Sequence, residues 1–465
     1  MPKNSGKQRG PGPRASSTPP ALRVSNGGVA RPHRIPGPEK GGWRAGDSPV
    51  FDVLVLGAGA AGLTCAAEAG RRGLSVLLLE RGPRPGRKLA VSGGGKANFS
   101  NRSVTPGDYL CPRDPMFCRP ALEALPPEAV VRRIRARHLP MEERDHGRLF
   151  LTVPARRLAV ALEEDCAAAS CRLACGTDVR AVHREADGFA VEAVDSATGG
   201  SHIWRGRALV LALGSPAWPQ IGASLAGWRV AASLGHRVAP ARPALVPLCL
   251  PEDSGLHGLS GISLPCRVTL PDTVAGCART FEDDLLFTHT GLSGPLALTA
   301  SLFWREGEPL ELDLLPGRDT EALLDASGSR TARGILRELL PQRLLDAVLP
   351  AGLARRKAAE LSRAARREIA SAIHSLNVTP AGTEGLDKAE ACAGGVDTAE
   401  VDPRTMESRL VPGLFLIGEL LDVTGRLGGY NLHWAWASGT AAGRAVLAGA
   451  QPLTGCKRAS PRRAR

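Results

Sequence analysis

The stretch FDVLVLGAGAAGLTCAAEAGRRGLSVLLLERG, Phe51 to Gly82, decides the fold. An apolar run to Leu56, a glycine turn, an Ala-rich segment and a second apolar run from Ser75 to Leu79 read as strand, turn, helix and strand. That is one βαβ unit, and it predicts a parallel sheet. Within it, Gly57-Ala58-Gly59-Ala60-Ala61-Gly62 has the spacing of a dinucleotide turn. Gly57 permits the tight turn, Gly59 lets the backbone approach a pyrophosphate, and Gly62 allows the helix to pack closely on the strand. Helix N–H groups near Ala60 and Ala61 then face the phosphates. Glu80, eighteen residues beyond Gly62, ends the second strand. A carboxylate there accepts hydrogen bonds from ribose hydroxyls and repels a 2′-phosphate, so FAD or NAD fits better than NADP.

Working outward, Arg81 to Asn101 reads RGPRPGRKLAVSGGGKANFSN. Arg81, Lys88, Ser92, Gly93, Gly94, Lys96 and Asn98 place backbone donors, cations and amides where a long extended cofactor would lie. For Asn98, as for Asn101 and Asp422, a turn-stabilising role competes with a bond to ribityl hydroxyls. More than 300 residues later, Gly413 to Gly443 reads GLFLIGELLDVTGRLGGYNLHWAWASGTAAG, again strand, glycine loop and helix. Gly418, Glu419, Gly429, Asn431 and Leu432 are its candidate contacts. A second helix N-terminus here would face the flavin edge on which reduction places negative charge. Two distant glycine-rich segments closing on one cofactor suit FAD and an α/β, Rossmann-type domain interrupted by an insert.

The chain between and around them divides by composition. Residues 1–48 hold nine Lys/Arg against two acids, and 451–465 hold five with none, so the net charge of +13 leaves only +1 for 49–450. Both ends read as disordered basic extensions, and the near-neutral body does not demand a nucleic-acid face. Residues 49–239 and 397–450 form the two parts of the cofactor domain, 240–318 a β-rich insert, 319–375 a helical subdomain, and 376–396 a return segment. The spacing predicts helices over 127–137, 155–169, 225–234, 333–340, 354–376 and 434–447. It predicts strands over 177–185, 189–194, 208–213, 267–270, 310–314 and 414–417. The run Arg355, Arg356, Lys357, Arg363, Arg366, Arg367 reads as a solvated helix face. Eleven cysteines show no zinc spacing, so no metal is expected. No apolar stretch is long enough for a bilayer span and no signal-peptide pattern is present, so a cytoplasmic location is the expectation.

These strings, with LLFTHTGLSGPLAL (Leu285 to Leu298) and AGGVDTAEVDPRTMESRLVPGLFLIGELLD (Ala393 to Asp422), resemble the YhiN/BaiN-like family of FAD-dependent oxidoreductases, also labelled the aminoacetone oxidase family. The resemblance runs from about Phe51 to Gly443 in consistent order. It implies that the insert is barrel-like and the activity a flavin oxidoreduction; one branch reduces double bonds in oxo-bile acids. Departures from the family pattern are Lys96-Ala97 in place of Arg-Cys, Gly222 to Gly227 in place of GxTGDGY, and His433 in place of Gln.

A flavin enzyme needs a donor for developing charge and an orienting pocket. Tyr430 is a candidate proton donor or, alternatively, a packing residue. His289 is a candidate cofactor-edge or substrate contact or a structural loop histidine, and His433 is the third catalytic candidate. The leading expectation is hydride transfer between flavin and a small or medium-sized organic substrate, by activated C=C reduction or amine or alcohol oxidation. The alternative is a flavoprotein that binds RNA and supports tRNA base modification. A second GxGxxG is missing, so NAD(P)H would reach the flavin through the substrate cleft, unless a protein or oxygen exchanges the electrons.

Overall fold

The structure, a computed structural model, describes residues 49–271, 278–326 and 328–449; the expected basic extensions 1–48 and 451–465 lie outside the described residues. The central sheet comprises β1 (Val50–Leu56), β2 (Val76–Glu80), β3 (Arg172–Cys175), β4 (Thr177–Glu185), β5 (Gly188–Asp195), β6 (Ser201–Leu211) and β7 (Leu414–Leu416). Its order is β3-β2-β1-β6-β5-β4, with β7 also beside β6. β3, β2, β1, β6 and β7 are parallel, as the βαβ reading predicts, whereas β4, β5 and the first half of β6 form an antiparallel meander. One edge of β6 is shared: Ser201–Gly206 pairs with β5, and Leu209–Leu211 pairs with β7. That second pairing brings the sequence-distant C-terminal glycine segment to the first one.

β1 and β2 are apolar along almost their whole length because they are buried on both faces, with the helix Ala60–Arg71 packed against both strands and β4 packed against β2. The exception is Asp52, fully buried, whose carboxylate accepts the Ser75 N–H and O–H at 2.9 and 2.8 Å and pairs with Arg207 at 3.0 Å. Those partners offset the cost of burying its charge. The opening helix Ala60–Arg71 packs against the closing helix Tyr430–Ala445. Their approach is close because Gly439 and Gly443 face it, where a Cβ would come within 2.5 Å of the carbonyls of Ala61 and Cys65 respectively.

The insert is a seven-stranded antiparallel sheet running from Leu376–Val378 through Leu310–Asp313, Ser263–Leu270, Arg279–Phe287, Gly291–Ser293 and Leu248–Cys249 to Gly382–Thr383. The sheet and the helical segment share one core, to which the strands contribute buried side chains such as Val268 and Leu312 and the helices Leu324, Leu336, Leu344 and Ile369. The antiparallel strands Val238–Ala244 and Ala391–Val396 carry the chain between the cofactor domain and the insert.

Most predicted elements form within a residue or two of their expected bounds, for instance the helices Pro127–Ala136, Arg156–Ala168 and Ala226–Ser233. Two differ. The helix expected over 354–376 is three pieces, Ala351–Ala354, the short turn Ala358–Glu360 and Arg363–His374. Lys357 is extended and bridges to Thr331, and the Ser362 hydroxyl accepts the Ala365 N–H at 3.2 Å, starting a new helix. The helix expected over 333–340 is only Ala332–Leu336. Among the described residues no helix is long and apolar enough to cross a membrane.

Candidate functional site

A cleft of about 530 Å³ runs across the C-terminal ends of β1, β2 and β6. Ligands of open α/β sheets bind at this edge, because the turns leaving the strands present their backbone there. At one end of the cleft the Glu80 carboxylate accepts the Ala58 N–H at 2.9 Å and the Gly82 N–H at 2.7 Å. These two bonds fix the carboxylate where a ribose would meet it. Arg81, Thr177, Asp178 and Val179 complete that end.

The middle of the cleft is backbone. Gly57 has φ +99°, and a Cβ there would lie 2.5 Å from the Ala212 carbonyl oxygen. A Cβ on Gly62 would lie 1.9 Å from the Gly57 oxygen, so Gly62 serves packing and does not line the cleft. Gly59 is different: a Cβ on it would meet nothing within 4 Å, and it caps the opening helix without a side-chain bond. The open space and free N–H groups at that point are what a pyrophosphate needs. Across from it, Glu419 accepts Lys88 Nζ at 2.7 Å and the Ser215 hydroxyl at 2.9 Å, tying both glycine segments together.

The far end is built by side chains from four separate segments. Asn431 is locked to the Gly425 backbone by two 2.8 Å bonds, and Asn98, with its amide turned to match the donors and acceptors around it, accepts the Gly429 N–H and donates to the carbonyls of Ser100 and Leu149, each at 3.1 Å. Both turn-stabilising arrangements leave the residues lining the cleft. Arg144 lies 4.1 Å over the Phe150 ring. Arg148 pairs with Asp283 of the insert, and Arg426 pairs with Asp108 at 2.7 Å. Burial lowers the pKa of Arg148 from its ordinary value.

Of the predicted cofactor contacts, Gly57, Gly59, Ala60, Ala61, Glu80, Arg81, Lys88, Ser92, Gly93, Gly94, Asn98, Gly418, Glu419, Gly429, Asn431 and Leu432 all line the cleft. Lys96 does not; it is exposed on the surface. The three catalytic candidates lie elsewhere. His433 is fully buried, its Nδ1 2.8 Å from the Ser100 hydroxyl and its Nε2 3.0 Å from the Leu125 carbonyl, and desolvation pushes its pKa down to about 4. His289 is exposed in the insert, where its carbonyl lies 3.2 Å from His257 Nδ1. Tyr430 lines a separate chamber of about 30 Å³ behind the cleft wall. Its hydroxyl accepts Arg426 Nη2 at 2.8 Å, and burial pushes its pKa up to about 12.

Sequence reasoning missed Arg144, Arg148, Phe150, Ser215, Leu245, Glu390 and Arg426, all of which line the cleft. Only Ser215 carries a signal, the glycine turn that follows the buried run Ala208–Leu213.

The long cleft, its carboxylate-ended ribose site, its glycine-bared middle and its second helix terminus fit FAD. Glu80 would hold the adenosine ribose, Gly59 and its neighbours the pyrophosphate, Glu419 and Ser215 the ribityl chain, and the Gly429–Leu432 turn the ring. The HI0933-like protein Rossmann domain matches residues 51–445. The chain is 36% identical over 405 residues to a ribosomal RNA dihydrouridine synthase of Escherichia coli (strain K12), covering 86% of this chain and 98% of that protein. A ribosomal RNA dihydrouridine synthase of Haemophilus influenzae is 36% identical over 84% of this chain and 97% of its own. A 3-dehydro-bile acid delta(4,6)-reductase of Clostridium scindens is 29% identical over 85% of this chain and 98% of its own. The chain belongs to the HI0933-like Rossmann-domain family and is an FAD-dependent oxidoreductase.

Proposed function

We propose that this chain reduces the C=C bond of a uracil base in ribosomal RNA, giving dihydrouridine. The observation that carries the reading is the far end of the cleft, where Arg144 stacks on Phe150 beside Arg148 and Arg426. A base turned out of an RNA strand is held by stacking on aromatic rings and guanidinium planes, with cations on its phosphates. The two dihydrouridine synthases to which the chain is similar over nearly their whole length support the same reading.

When bound, FAD supplies the hydride. The chain's own share is to hold the base flat against the ring, to place Arg148 or Arg426 near the carbonyl oxygen where charge develops, and to exclude water. Both guanidinium groups are pre-set by Asp283 and Asp108. NAD(P)H is the proposed reductant, entering the same cleft, and a cytoplasmic location goes with both partners.

A second reading, reduction of a small enone, is favoured by the apolar shelf of Leu245, Leu427 and Leu432 along the same end. It is supported by the bile acid reductase to which the chain is similar. The test is mass spectrometry of nucleosides from ribosomal RNA incubated with the holoprotein and NAD(P)H. Dihydrouridine formation supports the first reading; its absence, with turnover of a 3-oxo-4-ene steroid, replaces it with the second.

A further inference from the structure

Reducing a C=C bond conjugated to a carbonyl requires a proton as well as a hydride, and the cleft offers few acids. Four carboxylates line it: Glu80, Asp178, Glu390 and Glu419. Glu80 is held by two backbone N–H groups, Asp178 pairs with Arg180 at 3.1 Å, and Glu419 is held by Lys88 and Ser215. Glu390 is the cleft carboxylate that makes no hydrogen bond or ion pair within the described residues. Its backbone is nonetheless fixed, since its N–H donates to the Leu245 carbonyl at 3.1 Å.

Its position is at the reacting end. Glu390 precedes the strand Ala391–Val396, and Ala391 packs in one small apolar cluster with Leu245 and Leu427. Leu245 and Leu427 both line the cleft, and Leu427 lies in the turn that leads into Gly429–Leu432. The neighbouring charges are Lys88 on the facing segment, committed to Glu419, Arg426 on the loop beyond, committed to Asp108, and Asp387 and Lys388 on its own segment. The exposed part of the side chain opens into the cleft and protein surrounds the rest, so that burial raises its pKa above the ordinary carboxylate value, with Lys88 opposing.

We propose that Glu390 is the acid that protonates the substrate carbon during the reduction, an inference that rests on the double-bond reading above. The hydride forms the new C–H bond at the β-carbon, and the π electrons move to the carbonyl oxygen as an enolate. The α-carbon of that enolate then takes the carboxyl proton of Glu390, whose carboxylate is reprotonated by water from the open cleft. A nicotinamide supplies the next electron pair.

The experiment follows the reoxidation of anaerobically reduced holoprotein mixed with cyclohexenone or with ribosomal RNA. Glu390→Gln is expected to slow it by about 10²- to 10⁴-fold, the usual worth of a positioned acid. Wild-type rates should fall as pH rises through the pKa of Glu390, the Gln variant should lose that dependence, and Glu390→Asp should restore part of the rate. Reoxidation by oxygen, which puts no proton on carbon, and the flavin spectrum report whether the site is intact. A Gln variant that reoxidises at the wild-type rate with the same pH profile overturns the assignment while leaving the double-bond reading in place. Wild-type protein that neither probe reoxidises overturns both.

Discussion

The two ends of the cleft are built differently. The dinucleotide end is made of backbone: Gly57 and Gly59 clear a path, Gly62 lets the helix pack behind it, and Glu80 is pinned by N–H groups of its own neighbourhood. The far end is made of side chains from the hairpin around Arg144 and Arg148, the insert junction at Leu245 and Glu390, and the loop at Arg426. Backbone sites tolerate few substitutions, because the missing side chain is itself the site. Side-chain sites can change their substrate while the cofactor stays where it is.

The largest effect expected at the backbone end comes from Gly59→Leu. Because a Cβ there meets nothing, the protein should fold and yet exclude the cofactor, lowering FAD affinity by about 100-fold or more, as isothermal titration would show. Gly62→Leu should instead fail to fold, since its Cβ meets the Gly57 oxygen at 1.9 Å. A yellow Gly59→Leu protein would break the comparison.

At the side-chain end, Arg144→Ala should leave FAD bound and raise KM for ribosomal RNA about 10-fold, the value of one lost stacking contact, with little change for cyclohexenone. Equal losses for both substrates would argue against a base-stacking role.

His433 links the closing helix to Ser100 and Leu125, and it belongs to neither end. With its pKa lowered to about 4, the unfolded chain binds the extra proton first as pH falls. Its contribution is therefore full above about pH 6.5 and is lost down to about pH 4, amounting to about 3 kcal/mol. Denaturant melts of His433→Gln should lose this acid sensitivity.

The smallest effect is expected from Tyr430→Phe. Its hydroxyl faces the chamber behind the wall, so the variant should stay yellow, lose about 1 kcal/mol from the missing bond to Arg426, and keep turnover within about 3-fold. A much larger loss of turnover would move Tyr430 back into the chemistry.

The same contrast explains what was legible in the sequence. The glycine spacing and Glu80 announce the cofactor end because backbone geometry restricts residue type at fixed intervals. Arg148, Leu245 and Glu390 belong to segments with no such restriction: the pairing of the Arg148 strand with Asn98–Asn101 places the first, and the insert junction places the other two. Tyr430 and His433 adjoin the cleft-lining residues in sequence, but successive helix positions point in different directions, so adjacency to Asn431 and Leu432 misleads. The break at Ser362 was missed because apolar spacing continues across it.

The most direct test of the account is the flavin released by heat from purified protein, identified by chromatography and counted per chain. The account predicts close to one FAD per wild-type chain and none from Gly59→Leu protein with the same circular dichroism. Release of FMN, or of no flavin even after incubation with FAD, would contradict it.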